Sequence, residues 1–220
     1  MRSVKRLVAE GLGTAFLLAV VVGSGIMAEG LAGGNVAIAL LANAIATGCG
    51  LIALILMFGA ISGAHFNPVV SLSEAWLGNL PRNEVLPYIA IQIAGAFAGV
   101  AMAHSMFGEP VFFASEHVRT GWSQWWSEFV ATFGLIAVII STCRTRPGVT
   151  PFAVAAYITS AYWFTASTSF ANPAVTLARG FTDTFAGIRP HDIAGFVVAQ
   201  LAGTLVAVFS SRWLFPQEKV

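Results

Sequence analysis

The chain has 220 residues, of which 57% are apolar and only 10% are charged, and its mean hydropathy is +0.79. This composition excludes an ordinary soluble domain and indicates a polytopic membrane protein. A net charge of +1 gives no indication of nucleic-acid binding. The two cysteines, Cys49 and Cys143, fall in different predicted helices without metal-ligand spacing, so neither a metal nor a cofactor is expected.

Six apolar segments are long enough to cross a bilayer, namely residues 7–28, 36–59, 87–107, 125–142, 149–166 and 193–214. The basic start of the chain precedes an apolar stretch that is too long for a signal peptide and lacks a convincing cleavage site. Residues 7–28 are therefore predicted to be the first spanning helix. We expect one transmembrane domain over 1–220, with a first repeat at 1–107, an external connector at 108–124 and a second repeat at 125–220.

Two shorter apolar segments begin with matching tripeptides, Asn67-Pro68-Val69 and Asn172-Pro173-Ala174, and their flanks also match over residues 66–72 and 171–177. Asparagine caps a helix and proline is favoured at the first helical position, so each tripeptide predicts an abrupt helix start. Each segment has about ten residues, which is too short to cross. Broken helices at membrane depth are tolerated only inside protein or along a water-filled path, so the two are expected to meet at the midplane from opposite sides.

The two halves correspond elsewhere as well. Glu10 within 9–14 matches Glu128 within 127–132, and Gln92 within 91–95 matches Gln200 within 199–203. Each half contains three spanning segments, an odd number, so the halves are predicted to be inverted relative to each other. Small residues recur at three- to four-residue intervals and predict close helix crossings: Gly11, Gly13, Gly95, Gly99, Gly203 and Ala207.

Basic residues predict the orientation, because cytoplasmic loops carry an excess of lysine and arginine. One predicted side carries seven of them, Arg2, Lys5, Arg6, Arg82, Arg144, Arg146 and Lys219, and the other carries Arg119 and Arg189. Both termini are therefore expected in the cytoplasm. The charged residues of the external connector are expected to form a solvated surface: Glu109, Glu116, His117 and Arg119.

These motifs resemble the major intrinsic protein family, the aquaporins and aquaglyceroporins. The resemblance covers essentially the whole chain and rests on residues 9–14, the segment 62–68, the second Asn-Pro-Ala and the two Gln-x-Ala-Gly sequences. It implies an all-α membrane protein with six tilted helices, two re-entrant half-helices and one pore per subunit. It also implies a homotetramer, here in the bacterial inner membrane.

The resemblance assigns roles to residues at the pore midplane. Asn67 and Asn172 would donate side-chain hydrogen bonds to a passing solute, with Val69 and Ala174 beside them. Val69 could narrow the midplane or fill space against a neighbour. Two positive half-helix ends at this point would disfavour cations and interrupt proton hopping.

Three further residues are assigned to the loops. Glu10 and Glu128 would hold the re-entrant loops by accepting backbone N–H bonds, which fits the cost of an unpaired carboxylate within the membrane. His65 either lines the cytoplasmic half of the pore or is purely structural.

The family's second selectivity element is a ring on the external side, and counting without gaps places it at Thr47, Ser160, Ser169 and Val175. The fourth position, three residues after the second asparagine, is normally an arginine, and here it is Val175. The helix-five position is the least secure, because a shift in register could bring in an aromatic residue: Tyr157, Tyr162 or Trp163.

A wide ring without charge suits uncharged polyhydroxylated solutes larger than water. We expect a passive channel for trihydroxy metalloids such as arsenous acid and for polyols like glycerol or urea, with some water. The chain resembles the bacterial arsenite-channel branch of the family, which lacks the ring arginine. Arg179 either places positive charge in the external vestibule or pairs locally with Asp183 or loop carbonyls, and Cys49 is expected to point away from the pore.

Two other classes of membrane protein share some of these sequence features. An ion- or proton-coupled secondary transporter also uses inverted repeats and broken helices, but the only candidates for coupling are Glu10 and Glu128. A membrane enzyme would need a nucleophile motif or a metal set, and neither is present in the sequence. We therefore expect no enzymatic activity.

Overall fold

The structure, a computed structural model, describes residues 2–214, with side chains from Ser3 onward. Lys219 and the side chain of Arg2, both counted above among the basic residues, lie outside the described part. Within that part the secondary structure is helical, without strands, as predicted. The eight α-helices are α1 Arg2–Leu31, α2 Val36–Ser62, α3 Pro68–Leu77, α4 Arg82–Phe107, α5 Trp122–Thr145, α6 Thr150–Phe164, α7 Pro173–Arg179 and α8 Ile193–Leu214.

Five of the described segments have the length and apolarity to cross a membrane: Ser3–Leu31, Val36–Ser62, Arg82–Phe107, Trp122–Thr145 and Pro190–Leu214. The sixth predicted span contains α6, which has only 15 residues because the chain becomes extended at Thr165. At ~1.5 Å per residue it rises about 22 Å, less than the ~30 Å hydrocarbon core. A 3-10 turn at Pro147–Val149 precedes it and adds length at one end.

The helices pack in the same way in each half. In the first half α1 lies between α2 and α4, and in the second half α5 lies between α6 and α8. Helices α2 and α6 join the halves, while the short helices α3 and α7 touch each other inside. Together with the two half-helices, this arrangement confirms the predicted inverted repeat.

Close helix crossings depend on glycine, as the small-residue pattern predicts. A Cβ atom at Gly95 in α4 would overlap the carbonyl oxygen of Gly11 in α1. In the second half, a Cβ atom at Gly203 in α8 would overlap the carbonyl oxygen of Phe129 in α5. The two helix pairs that frame the halves therefore meet backbone to backbone at equivalent places.

The connector between the halves is shorter than predicted and is tied to the second half. Helix α5 begins at Trp122, three residues earlier than expected, after Gly121 with a positive φ of 102°. Two connector N–H groups, of Phe113 and Ser115, donate to the carbonyls of Phe181 and Gly180 just after α7. We call this side of the protein the connector face, and the opposite side, with the described chain ends, the terminal face.

Candidate functional site

The two half-helices begin as their sequences predict. Asn67 and Asn172 are the caps, with extended backbone (φ −155° and −158°), and each is followed by proline at the first helical position. The Asn67 Oδ1 atom accepts from the N–H of Val69 at 3.1 Å, and the Asn172 Oδ1 atom accepts from the N–H of Ala174 at 3.0 Å. Capping fixes both side chains at the helix starts.

Each cap also binds the opposite re-entrant loop. The Asn67 Nδ2 group donates to the Ala171 carbonyl, and the Asn172 Nδ2 group donates to the Phe66 carbonyl, both at 2.8 Å. An amide NH₂ has two N–H bonds, so each asparagine keeps one for another partner. Both asparagines line one central cavity, so the spare donors are available to a solute there.

Glu10 supports the first re-entrant loop from α1. Its fully buried carboxylate accepts from the backbone N–H groups of His65 at 2.9 Å and Phe66 at 2.7 Å. It also accepts from the Ser62 hydroxyl at 2.6 Å and the Gln92 amide at 2.8 Å. Four donors on one carboxylate give the anion the hydrogen bonds that burial requires.

Glu128 does the same for the second loop from α5. It accepts from the backbone N–H groups of Phe170 and Ala171, both at 2.8 Å, and from the Gln200 amide at 2.7 Å. The two glutamine amides bind a second partner in parallel, the hydroxyl of Ser71 in one half and of Thr176 in the other. The internal repeat thus extends to individual hydrogen bonds.

The loops held in this way have unusual backbone angles. Positive φ values occur at Ala64 and Phe66 in the first loop and at the equivalent Ser169 and Ala171 in the second. Such conformations in residues with a Cβ atom cost on the order of 1–3 kcal/mol each, and they persist only when the surroundings enforce them. The glutamate–backbone bonds described above supply that enforcement.

The central cavity has a volume of about 250 Å³. Much of its wall is aliphatic, with residues from α1, α2, α5 and α6, and polar groups cluster at the asparagines and near the two ends. Val69 and Ala174, expected beside the asparagines at the pore, are fully buried and are not part of the wall. The Val69 side chain is therefore enclosed by the protein and is not exposed to the cavity.

Near the connector face three of the four expected ring residues lie on the cavity wall: Thr47, Ser169 and Val175. The expectation for Ser160 is wrong. Its side chain is exposed on the outside of α6, away from the wall, and donates to the Tyr157 carbonyl at 2.7 Å. Tyr162 takes its place, with the phenolic oxygen 3.2 Å from Thr47 Oγ1. The ring therefore has a bulkier residue from α6 than the count predicts, and it carries three hydroxyl groups.

His65 lies on the cavity wall on the terminal side of Asn67. Its Nδ1 atom is 3.0 Å from the Ser71 hydroxyl, and its ring packs against Tyr88 with centroids 5.4 Å apart. Both roles considered for this residue, lining and structural, therefore apply together.

Arg179, the last residue of α7, is almost fully buried and lies on the cavity wall. Its Nε atom donates to the Ala186 carbonyl, as the loop-carbonyl alternative predicts. Asp183 instead accepts from the connector, from the backbone N–H of Glu116 at 2.8 Å. A pair between Arg179 and Asp183 is therefore not formed.

Arg119 departs from the expectation of a solvated connector. Its side chain donates to the carbonyls of Gly187 at 2.8 Å and Ser167 at 3.3 Å, and its backbone N–H donates to Asp192 at 2.9 Å. Burial lowers the pKa of its guanidinium, while the charge of Glu128 acts in the opposite direction. Glu116 and His117 are exposed, as expected.

The sequence did not point to the wall residues at the terminal end of the cavity: Glu74, Cys143 and Thr150. They come from α3, α5 and α6, and only the tertiary arrangement brings them together. Cys49 is exposed and lies away from the cavity wall, as expected. Among residues 2–214 no group of three or more His, Cys, Asp or Glu side chains could hold a metal ion.

Two half-helices that start at a shared cavity inside an inverted bundle define a membrane channel of the aquaporin type. A family model described as "Major intrinsic protein" matches residues 1–169, and the chain belongs to that family. The family consists of channel proteins, and this chain is a passive membrane channel for small neutral solutes.

The chain is 55% identical over 210 residues to "Aquaglyceroporin AqpS" of Rhizobium meliloti (strain 1021), covering 96% of this chain and 90% of the relative. It is 33% identical over 144 residues to "Aquaporin NIP1-1" of Arabidopsis thaliana, covering 61% of this chain and 48% of the relative. Among solved structures, the aquaglyceroporin from Plasmodium falciparum matches with a TM-score of 0.68, 20% identity and 95% coverage of both chains. This last likeness concerns the fold alone.

Proposed function

We propose that the channel conducts uncharged polyhydroxylated solutes, most of all trihydroxy metalloids such as arsenous acid together with glycerol and urea, and also some water. One observation carries the proposal: the connector-side ring combines the hydroxyls of Thr47, Tyr162 and Ser169 with the apolar side chain of Val175. Hydroxyl groups at a constriction exchange hydrogen bonds with solute hydroxyls. Val175 leaves this level open to the carbon or arsenic centre of the solute.

The midplane supports the same class of solute. The spare N–H groups of Asn67 and Asn172 give a polyol a second place to bind after the ring. The aliphatic wall between polar positions offers no partner for an ion, so a charged solute would lose its hydration without compensation. The high identity to a relative named an aquaglyceroporin is in line with this solute class.

Passive flow is favoured over coupled transport by the state of the two intramembrane carboxylates. Each of Glu10 and Glu128 is fully buried and bound to loop N–H groups, and neither is part of the cavity wall. A coupling site needs an ionisable group that a passing ion or proton can reach. Solute flow should therefore depend only on the solute gradient.

The experiment is stopped-flow light scattering of proteoliposomes with inward gradients of glycerol, urea and arsenous acid, and with an impermeant osmolyte for water. Ionophores that dissipate proton and sodium gradients provide the matched condition, and protein-free liposomes provide the baseline. We expect solute fluxes well above baseline that ionophores leave unchanged. Flux that disappears with the ion gradients would indicate a coupled transporter, and water flux alone would exclude the proposed solutes.

For the assembly we propose a homotetramer in the bacterial inner membrane with both termini in the cytoplasm. The apolar outer surfaces of α1 and α2, with Leu12, Phe16, Ile38 and Leu41 exposed, are available for subunit or lipid contacts. The excess of basic residues at the terminal face supports the orientation. Native mass spectrometry should give a complex of four copies of 23.1 kDa. In intact cells that express a variant without Cys49 and Cys143, an impermeant thiol reagent should label Glu116→Cys but not Asn83→Cys.

A further inference from the structure

Arg179 lies in an unusual environment for a charged group. It is 2% exposed, and its guanidinium carbon lies 3.4 Å from the centre of the Phe170 ring. Its side chain makes one hydrogen bond to the described residues, from Nε to the Ala186 carbonyl. A guanidinium has five N–H donors, so most of its donor capacity is unused within residues 2–214.

No carboxylate of the described residues forms an ion pair with this charge, and Glu128 attracts it only over a longer distance. Glu84 is paired with Arg6, and Asp192 is paired with Arg189. A buried cation without a counter-ion is costly, and in a membrane protein such a group faces a cavity or marks a solute path. Arg179 meets this condition, because its side chain forms part of the cavity wall.

A second polar group at the same place also lacks a partner. The Ser169 hydroxyl oxygen is buried and has no hydrogen-bond partner among the described residues, although Ser169 lies on the cavity wall. Ser169 and Arg179 lie on either side of the Asn172 cap and face the connector-side part of the cavity. Two unsatisfied groups on one wall indicate that a molecule in the cavity is their partner.

The Arg179 guanidinium is held in place by the residues packed against it. Phe170 supports the guanidinium by a cation–π contact, and Phe170 is itself held by its backbone N–H bond to Glu128. Arg119 also lies over the Phe170 ring, at 5.2 Å, and its bonds to the carbonyls of Ser167 and Gly187 tie the neighbouring loops together. The guanidinium therefore rests on a ring that is itself held in place and that also lines the cavity.

We infer that Arg179 carries the fixed positive charge of the connector-side half of the pore, and that Arg179 and the Ser169 hydroxyl together donate hydrogen bonds to the oxygen atoms of the passing solute. The family's usual arginine position is occupied by Val175, four residues earlier and so about one helical turn away. The charge is thus present in the pore but displaced from the ring toward the vestibule. This inference deepens the proposed function and rests on it for the identity of the solute.

The test compares four variants in proteoliposomes, with fluxes of methylammonium, glycerol and water measured at equal protein density. Arg179→Met keeps a long side chain over Phe170 but removes the charge, and Arg179→Lys keeps the charge. Arg189→Gln removes a charge from the same face at a residue that is not on the cavity wall. Ser169→Ala removes only the hydroxyl.

We expect Arg179→Met to raise the ratio of methylammonium to water permeability by about tenfold, because an unscreened charge at the lumen repels cations strongly. Arg179→Lys and Arg189→Gln should keep the wild-type ratio. Ser169→Ala should lower the ratio of glycerol to water permeability by about two- to tenfold, the size of one lost hydrogen bond, without changing the methylammonium ratio.

Three results would overturn the inference. The first is an unchanged methylammonium ratio in Arg179→Met, and the second is a rise of equal size in Arg189→Gln. The third is a parallel loss of folded protein and of all fluxes in both Arg179 variants, which would reduce Arg179 to an anchor for the Ala186 carbonyl. Because water is the reference, wild-type protein that passes water but no glycerol would refute the proposed function and still leave the charge test valid.

Discussion

At the scale of single residues, two carboxylates far apart in sequence perform one task. Glu10 and Glu128 accept backbone N–H bonds from loops whose residues have positive φ, and so they stabilise conformations that the loops would not adopt alone. A buried carboxylate that accepts several donors contributes through the bonds that would otherwise be unmade. The two residues are therefore supports of the pore and not parts of its wall.

Replacing either carboxylate with alanine should reduce folded protein and flux together. Glu10→Ala leaves four donors without their acceptor and Glu128→Ala leaves three, at about 1–3 kcal/mol for each donor that stays buried and unpaired. The measurement is thermal unfolding in detergent combined with glycerol flux. Glu29→Ala, at an exposed carboxylate, is the control and should behave like wild type. Normal yield and flux in Glu10→Ala would contradict the supporting role.

Tyr162 and Ser160 allow a matched test of the ring. Tyr162→Phe removes the hydroxyl next to Thr47, and the ratio of glycerol to water permeability should fall by about two- to tenfold, the range of one net hydrogen bond. Ser160→Ala should leave this ratio unchanged, because the Ser160 side chain is on the outside of α6. A lower glycerol-to-water permeability ratio in Ser160→Ala, with an unchanged ratio in Tyr162→Phe, would show that Ser160 and not Tyr162 belongs to the ring.

Most of the site could be predicted from its residues, and the exceptions have a physical reason. Both asparagines and both glutamates stand in repeated motifs, so each could be placed by comparison with its counterpart. The ring position on α6 was found by counting back from Asn172, and that count crosses the non-helical residues between Phe164 and Pro173. An error of two residues turns a helix by about 200°, which moves a side chain from the lumen to the outside.

At the scale of helices, the packing depends on places where two backbones touch. Such contacts in a membrane are built from small residues, because the apolar lipid offers no hydrophobic driving force between helices. Gly95 and Gly203 occupy these places at the α1–α4 and α5–α8 crossings. The crossings orient α1 and α5, and hence the carboxylates that hold the re-entrant loops.

Gly95→Ala should destabilise the fold, because its methyl group would overlap the Gly11 carbonyl oxygen of α1 and force the helices apart. Overpacking of this kind costs about 1–3 kcal/mol. Thermal unfolding of the purified protein should show a lower midpoint for Gly95→Ala. Gly30→Ala, in a helical position with nothing within 4 Å of the added methyl group, should be neutral or slightly stabilising. Equal midpoints for wild type and Gly95→Ala would show that the α1–α4 crossing does not depend on a glycine at this position.

Helix existence was easier to predict than helix length. The apolar segments and the Asn-Pro starts located all eight helices, whereas α6 is shorter than its apolar segment and α5 begins earlier than expected. Helix α5 begins after Gly121, which has a positive φ, and α6 ends before Thr165, which is extended, and hydropathy does not register such backbone angles.

At the scale of the whole molecule, the inverted repeat brings two equivalent half-helices to one cavity. Its existence could be inferred because the halves share motifs in the same order. The ends of the cavity could not be inferred, because they join residues that are distant in sequence and because equivalent positions carry different side chains, Glu74 in one half and Arg179 in the other. At one end the connector pairs with the chain after α7. At the terminal end, Glu74 and Cys143 come together on the cavity wall.

We propose that the connector-side ring admits neutral hydroxylated solutes because Val175 stands where a charged side chain would otherwise narrow the ring. The most direct measurement is the flux of glycerol, arsenous acid and water through wild type and Val175→Arg at matched protein density. The new side chain would occupy the lumen beside the three hydroxyls and one turn from Arg179. We expect both solute fluxes to fall by about tenfold or more while water, the smallest solute, falls much less. Equal factors for solutes and water would mean only a damaged pore, and unchanged solute fluxes would show that Val175 does not set the constriction.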